Sequence, residues 1–135
     1  MKLFAISDAA ILFCILAPVI AMPNQHRSRP TPVPDQNSDF NFSCPSNQIY
    51  GKHYLMGVVS EARRIMRDSS TQYSYPSTFY HFQYNISGDL WYYPLTAAYG
   101  ARDFVVFNTY NEIAGVAHLK VANGRQTFEP CDLLG

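Results

Sequence analysis

Two histidines and one arginine in the second half of the chain have side chains suited to acid/base chemistry. His81 lies in the segment YHFQY, His118 lies in IAGVAHLKV, and Arg102 precedes DFVVFN. Imidazole gives and takes protons near neutral pH, and a guanidinium stabilises negative charge that develops on phosphorus oxygens. A site built from these three residues is one hypothesis. The competing interpretation is that the histidines pack within strands and that Arg102 is a solvated turn residue.

The segments that would position these side chains have a period of two. YPSTFYHFQYN, DLWYYPL, DFVVFNTY, IAGVAHLKV and RQTFEPC each fit a short strand or extended arm. Upstream, apolar residues recur every three to four positions from Tyr54 to Met66, which predicts an amphipathic helix of about four turns. One helix followed by four or five strands predicts an α+β fold, with an antiparallel sheet packed on a single N-terminal helix.

The first 39 residues have a different composition from the rest. Residues 1–21 have Lys2 near the start, an apolar run and small residues at its end, the pattern of a secretory signal peptide. The run is too short to span a bilayer comfortably, and Pro18 lies inside it. Residues 22–39 are proline-rich and polar, typical of a flexible spacer. We therefore expect an exported chain with no membrane span, whose folded domain occupies residues 40–135.

Two cysteines, Cys44 and Cys131, remain when a signal peptide that contains Cys14 is removed. In an oxidising pathway this pair predicts one disulfide that closes almost the whole domain. Two free thiols or a metal site are the alternatives, but the spacing of cysteines and histidines matches no metal motif. We expect no metal and no cofactor. Sequons at Asn41 and Asn85 are candidate glycosylation sites.

The charge of the chain is balanced. It has ten Lys/Arg and ten Asp/Glu, and the part from residue 40 onward has seven of each. Domains that hold nucleic acid tightly are usually basic, so any RNA binding here should be weak and sensitive to salt.

Several short motifs follow one another in a distinctive order. FSC precedes the helix, and then come YP, the strand segment YYPL, DFVVFN, GVAHLKVANG and a closing FEPC. Over about residues 40–133 this order resembles the small secreted fungal ribonucleases of the guanyl-specific superfamily. It resembles more closely the ribonuclease-like secreted effectors of powdery mildew fungi. The resemblance implies a microbial-ribonuclease-like fold.

The resemblance also identifies four catalytic positions. Active members have histidine, glutamate, arginine and histidine there, whereas this chain has Ser77, Tyr92, Phe104 and, as the one match, His118. Ribonucleolytic transesterification needs a base, an acid and a group that stabilises charge on the phosphorus oxygens. Tyrosine, with a pKa of about 10, is a poor base at neutral pH, and phenylalanine carries no charge. The resemblance therefore implies a catalytically inactive protein.

By the same resemblance we expect a virulence effector that is translocated into plant host cells and binds host proteins there. An intracellular immune receptor that recognises the effector, as for an avirulence protein, is a second expected partner, and we expect a monomer. A non-catalytic RNA-binding protein and an active secreted endoribonuclease with a relocated site are the alternatives. The candidate binding surface is mostly aromatic: Tyr75, Tyr80, His81, Trp91, Tyr92, Tyr99 and Arg102.

Overall fold

A computed structural model of the chain describes residues 29–68, 75–95 and 102–134. The predicted signal peptide lies outside these ranges. The described elements are, in chain order, β1 (Asn41–Ser43), β2 (Ile49–Gly51), α1 (Lys52–Arg67), β3 (Ser77–Thr78), β4 (Leu90–Pro94), β5 (Asp103–Asn108), β6 (Ile113–Ala122), β7 (Arg125–Pro130) and β8 (Asp132–Leu134).

The strands form two antiparallel sheets. The larger sheet has the order β3-β4-β5-β6-β7, and the smaller has the order β2-β1-β8. The fold is therefore α+β, as the sequence predicts, with one helix among the described residues. The sequence pattern does not predict the second sheet as a whole, because β2 and β8 are three residues long and too short to show a period.

Helix α1 forms where the three-to-four spacing of apolar residues predicts it. Leu55, Val59 and Ala62 are buried along one stripe of the helix. They pack in one core with Val105 and Val116 of the larger sheet. We call this side of the sheet the helix face. No helix in the described part of the chain is long and apolar enough to cross a bilayer.

The other side of the larger sheet buries a second core. Val106, Ala114 and Ala117 pack there against Phe79 and Tyr84, which belong to the segment before β4. Both sides of β5 are thus covered, and all six of its residues are buried. This explains why DFVVFN reads as a continuous apolar run, since a strand buried on both faces shows no alternation.

The predicted disulfide is present. Cys44 and Cys131 are joined across a sequence separation of 87 residues, with Cα atoms 4.6 Å apart. The bond fastens the chain after β1 to the chain before β8, and these two strands pair with each other. This excludes two free thiols.

The last part of the predicted spacer packs on the domain. Thr31 donates its backbone N–H to Gln83, and its carbonyl accepts from Asn85. The side chain of Gln36 both donates to and accepts from the backbone of Ile113. Val33 also packs against the second core, and Pro34 is buried. Hydrogen bonds and two apolar contacts thus fix a segment whose mostly polar composition gives little sign of the contact.

Candidate functional site

Three of the four positions suggested by the ribonuclease resemblance lie on the side of the sheet opposite α1. Ser77 of β3 pairs directly with Tyr92 of β4. The rings of Tyr92 and Phe104 have centroids 5.3 Å apart. We call this side, with Phe79, Tyr92, Phe104 and Phe128, the aromatic face.

His118 lies on the helix face instead. It pairs with Asp103, one residue before Phe104 in β5, whereas its neighbour Ala117 pairs with Phe104. Side chains alternate along a strand, so a shift of one residue moves a side chain through the sheet. The next residue on the aromatic face is Leu119, which pairs with Phe128. The structure therefore does not bring His118 together with Ser77, Tyr92 and Phe104.

His118 belongs to a buried hydrogen-bond network around Asp103. Its Nδ1 lies 2.8 Å from Asp103 Oδ1, and the Tyr50 hydroxyl donates to Oδ2 over 2.7 Å. The hydroxyl of Ser46 also donates to Oδ2. Asp103 and His118 are only 3% and 9% exposed. A carboxylate accepts hydrogen bonds, so Nδ1 carries the hydrogen, and the imidazole is bonded inside the protein rather than facing a ligand. The bond from Tyr50 of β2 to Asp103 of β5 is the one that joins the two sheets.

Asp103 also lies near the disulfide. One of its carboxylate oxygens and the sulfurs of Cys44 and Cys131 fall within 4.8 Å of one another. The two sulfurs are joined in a disulfide and are not thiolates, so this group does not have the donor set of a metal site. Burial, and secondarily the hydrogen bond to Asp103, raises the pKa of Tyr50.

The aromatic face consists of interlocking rings. Most ring pairs meet edge to face, with centroids 4.5–6.1 Å apart, a favourable geometry for aromatic packing. The members described are Tyr75, Phe79, Tyr80, His81, Phe82, Tyr84, Tyr92, Phe104 and Phe128. Four residues of the predicted binding surface, Tyr75, Tyr80, His81 and Tyr92, are therefore brought together.

The accessible part of this face is centred on two adjacent residues. Tyr80 is 80% exposed, and its ring stacks on His81 with centroids 5.3 Å apart. His81 in turn lies 4.5 Å from the ring of Phe128. Tyr92 is less accessible, and burial raises the pKa of its hydroxyl, with a smaller contribution from Tyr75. The hydroxyl therefore stays protonated at neutral pH and cannot act as a base.

The remaining predicted surface residues lie elsewhere. Trp91 is half-buried and packs on the core of the helix face, because it is one residue from Tyr92 and alternation places it on the other side. Trp91 therefore does not share a face of the sheet with the other aromatic residues predicted for the surface. Arg102 is exposed just before β5. Tyr99 lies outside the described residues. Asn41 and Asn85, the candidate glycosylation sites, are both exposed.

An open cavity of about 590 Å³ adjoins His81. Its lining includes Arg29, Glu129 and the ring of Phe128. The sequence does not suggest Arg29 or Glu129 for this site, because neither is close to His81 in sequence. The alternative site of His81, His118 and Arg102 is not assembled, since the two histidines lie on opposite faces of the sheet.

Comparison of the sequence with models of known protein families and with curated proteins gave no match. The likeness to ribonucleases and ribonuclease-like effectors thus depends on the motifs of the chain alone.

Proposed function

We propose that this chain is a secreted virulence effector, a catalytically inactive ribonuclease-like protein that binds host plant proteins through its aromatic face. The setting in the host cell, and the immune receptor as a further partner, come from the resemblance. The proposal that the chain is inactive is supported mainly by the placement of His118 on the helix face, bonded to Asp103, while Tyr92 and Phe104 occupy the aromatic face.

The chemistry of RNA cleavage supports this proposal. The reaction needs two proton-transfer groups on opposite sides of the phosphate and a stabiliser of charge. Tyr92 is a protonated phenol, and Phe104 is 3% exposed and apolar. A single missing proton-transfer group costs about 10²–10⁴ in rate. With His118 turned away as well, the aromatic face lacks the family's acid, base and cation.

The exposed tyrosine of the aromatic face and the balanced charge of the chain suit a binding role. Tyr80 exposes a large ring to solvent. This ring stacks on His81, which in turn packs against Phe79, so its position is supported by buried aromatic contacts. Tyrosine contributes much contact area for little lost side-chain entropy and is enriched among interface residues with large binding energies. The balanced charge favours a protein partner over RNA, because it gives no long-range attraction to phosphates.

The test is capture of partners from plant extract by the immobilised protein and two variants. Tyr80→Ala removes the exposed ring of the aromatic face. Tyr110→Ala is the matched control, since Tyr110 is 69% exposed but lies in the turn after β5. We expect Tyr80→Ala to weaken capture at least about tenfold, as for an interface residue of large energy, and Tyr110→Ala to leave it unchanged. Equal effects of the two variants would contradict binding through this face.

Non-catalytic RNA binding is a second candidate, favoured by the cavity beside His81. A guanidinium at Arg29 and the rings of Phe82 and Phe128 line that cavity, and bases stack on aromatic rings regardless of sequence. Fluorescence anisotropy with single-stranded RNA over a salt series separates the candidates. Binding that weakens with salt and is lost in Tyr80→Ala would replace the protein-binding proposal. No binding at low salt would exclude RNA.

A further inference from the structure

Strand β7 is an edge of the larger sheet, and no strand of the described residues pairs with its outer side. The sheet ends at β7, which pairs with β6 on one side only. Residues Arg125, Gln126 and Thr127 are exposed. No described residue makes a backbone hydrogen bond to the outer side of this strand. An open edge of this kind is a template for another strand.

The direction of each backbone group along this edge follows from the hairpin. Asn123 and Gly124 have φ of 53° and 74°, so they form a two-residue turn of the primed type. The flanking pair, Ala122 with Arg125, is then hydrogen-bonded, and pairs alternate from there. Consequently Gln126 and Phe128 point their N–H and C=O groups away from β6.

A second contact fixes the same alternation independently. Leu119, the partner of Phe128 in β6, donates its N–H to the carbonyl of Arg102, on the opposite side from β7. Leu119 and Phe128 are therefore a pair without mutual hydrogen bonds, which leaves the backbone groups of Phe128 facing outward. The chain stops presenting donors at Pro130, which has no N–H. The usable edge is residues 125–129.

This five-residue edge is complementary to itself. In an antiparallel pair with a second copy, centred on Thr127, Gln126 of each copy lies opposite Phe128 of the other. Both residues point their backbone groups outward, so two hydrogen-bonded pairs form. Arg125 of each copy then lies opposite Glu129 of the other in a pair without backbone bonds, where side chains are closest. Neither charge has a hydrogen-bond or ion-pair partner among the described residues.

We propose that the outer edge of β7 is a homodimer interface, in which two copies join their larger sheets through antiparallel β7 strands. Twofold symmetry needs one self-complementary patch, and the order Arg-Gln-Thr-Phe-Glu supplies both the charge pairing and the backbone register. The proposal replaces the monomer expected from the sequence and is independent of the proposed function. Phe128 belongs to the aromatic face, so the dimer would bring two aromatic faces side by side.

The interface is small, and we expect a weak dimer. Two five-residue strands bury less than the roughly 1,200 Å² of a stable interface. The working value for the design is a dissociation constant on the order of 100 µM, which is weak association. The measurement is sedimentation velocity over a concentration series, on the chain as a secretory expression host releases it, with its disulfide intact. Wild type should shift from monomer to dimer as the protein concentration rises through about 100 µM. A monomer at every concentration up to about 1 mM would overturn the proposal.

Gln126→Pro tests the backbone register. The N–H of Gln126 faces outward, so proline there removes a donor from the dimer without removing a bond to β6, and edge strands tolerate proline. Gln126→Ala is the matched control and keeps the donor. The two variants are compared at a protein concentration about ten times the wild-type dissociation constant. We expect Gln126→Pro to be monomeric at that concentration and Gln126→Ala to dimerise. Dimerisation of both variants would place the interface elsewhere.

A charge exchange tests the facing pairs. Glu129→Arg and Arg125→Glu each create like charges across the twofold axis and should weaken dimerisation about tenfold, since like charges directly opposite are unfavourable. The double variant R125E/E129R restores opposite charges and should dimerise as wild type does. Failure of the double variant to recover, with each variant shown to be folded by circular dichroism, would contradict this register.

Discussion

The role assigned to His118 predicts that its removal weakens the fold. Asp103 accepts hydrogen bonds from His118, Tyr50 and Ser46, and hydrogen bonds to charged groups contribute about 1.5–3 kcal/mol each. His118→Ala removes one of the three, so we expect the free energy of unfolding to fall by about 2 kcal/mol. Asp103→Ala removes the common acceptor and leaves buried donors unpaired, which should cost about 3–5 kcal/mol.

The double variant separates a network from two independent contacts. Once Asp103 is alanine, the imidazole has lost this partner, so adding His118→Ala should cost at least about 1 kcal/mol less than it does in wild type. The assay is urea unfolding followed by circular dichroism at neutral pH, with the disulfide intact. His53→Ala is the matched control: this histidine is exposed on α1, and its loss should change stability by about 0.5 kcal/mol or less. Unchanged stability of His118→Ala, or strictly additive effects of the two substitutions, would show that His118 and Asp103 do not form a stabilising network.

Other properties of the fold give three further predictions. A Cβ at position 115 would lie 2.7 Å from Tyr84 Cε1, so Gly115→Ala should lower the free energy of unfolding by about 2 kcal/mol. In α1, a Cβ at position 57 meets nothing within 4 Å, so Gly57→Ala should raise the free energy of unfolding by about 0.5–1 kcal/mol. Urea melts of the two variants measure both changes. Burial raises the pKa of Tyr50 and Tyr84 in the folded protein above the ordinary tyrosine value of about 10. Their contribution to stability is therefore complete below about pH 10 and is lost as pH rises toward the folded-state pKa values. Urea melts over an alkaline pH series should show the free energy of unfolding falling only above about pH 10. Reducing the disulfide, which closes 87 residues, should cost about 4 kcal/mol, measured by urea melts with and without reductant; an equally stable reduced protein would contradict this.

The sequence predicts the elements that have a period or an isolated chemical signal. The apolar spacing from Tyr54 to Met66 predicts α1, which the structure has at Lys52–Arg67. Two cysteines that remain after a predicted signal peptide predict the disulfide, which the structure has. These inferences need only local pattern or residue count, and no knowledge of how strands pair.

The sequence cannot assign side chains of β5 and β6 to a face of the sheet. Both strands are apolar on both sides, so no alternation marks the register, and His118 is placed by its pairing with Asp103. Trp91 and Tyr92 illustrate the same limit: both are half-buried aromatics, yet they belong to opposite cores. The contact of Arg29 with the cavity beside His81 depends on Thr31 pairing with Tyr84, far away along the chain.

Cleavage of single-stranded RNA tests the central claim, that the aromatic face is not a ribonuclease site, most directly. The disulfide-intact protein would be incubated with RNA beside His81→Ala, His118→Ala and a buffer blank, with an active guanyl-specific ribonuclease as positive control. We expect wild type and both variants to be indistinguishable from the blank. Cleavage by wild type that disappears in His81→Ala would show that the protein is a ribonuclease and place a relocated site in the cavity lined by Arg29 and Glu129. Cleavage that disappears only in His118→Ala, with that variant still folded, would show that the buried histidine acts in catalysis after all.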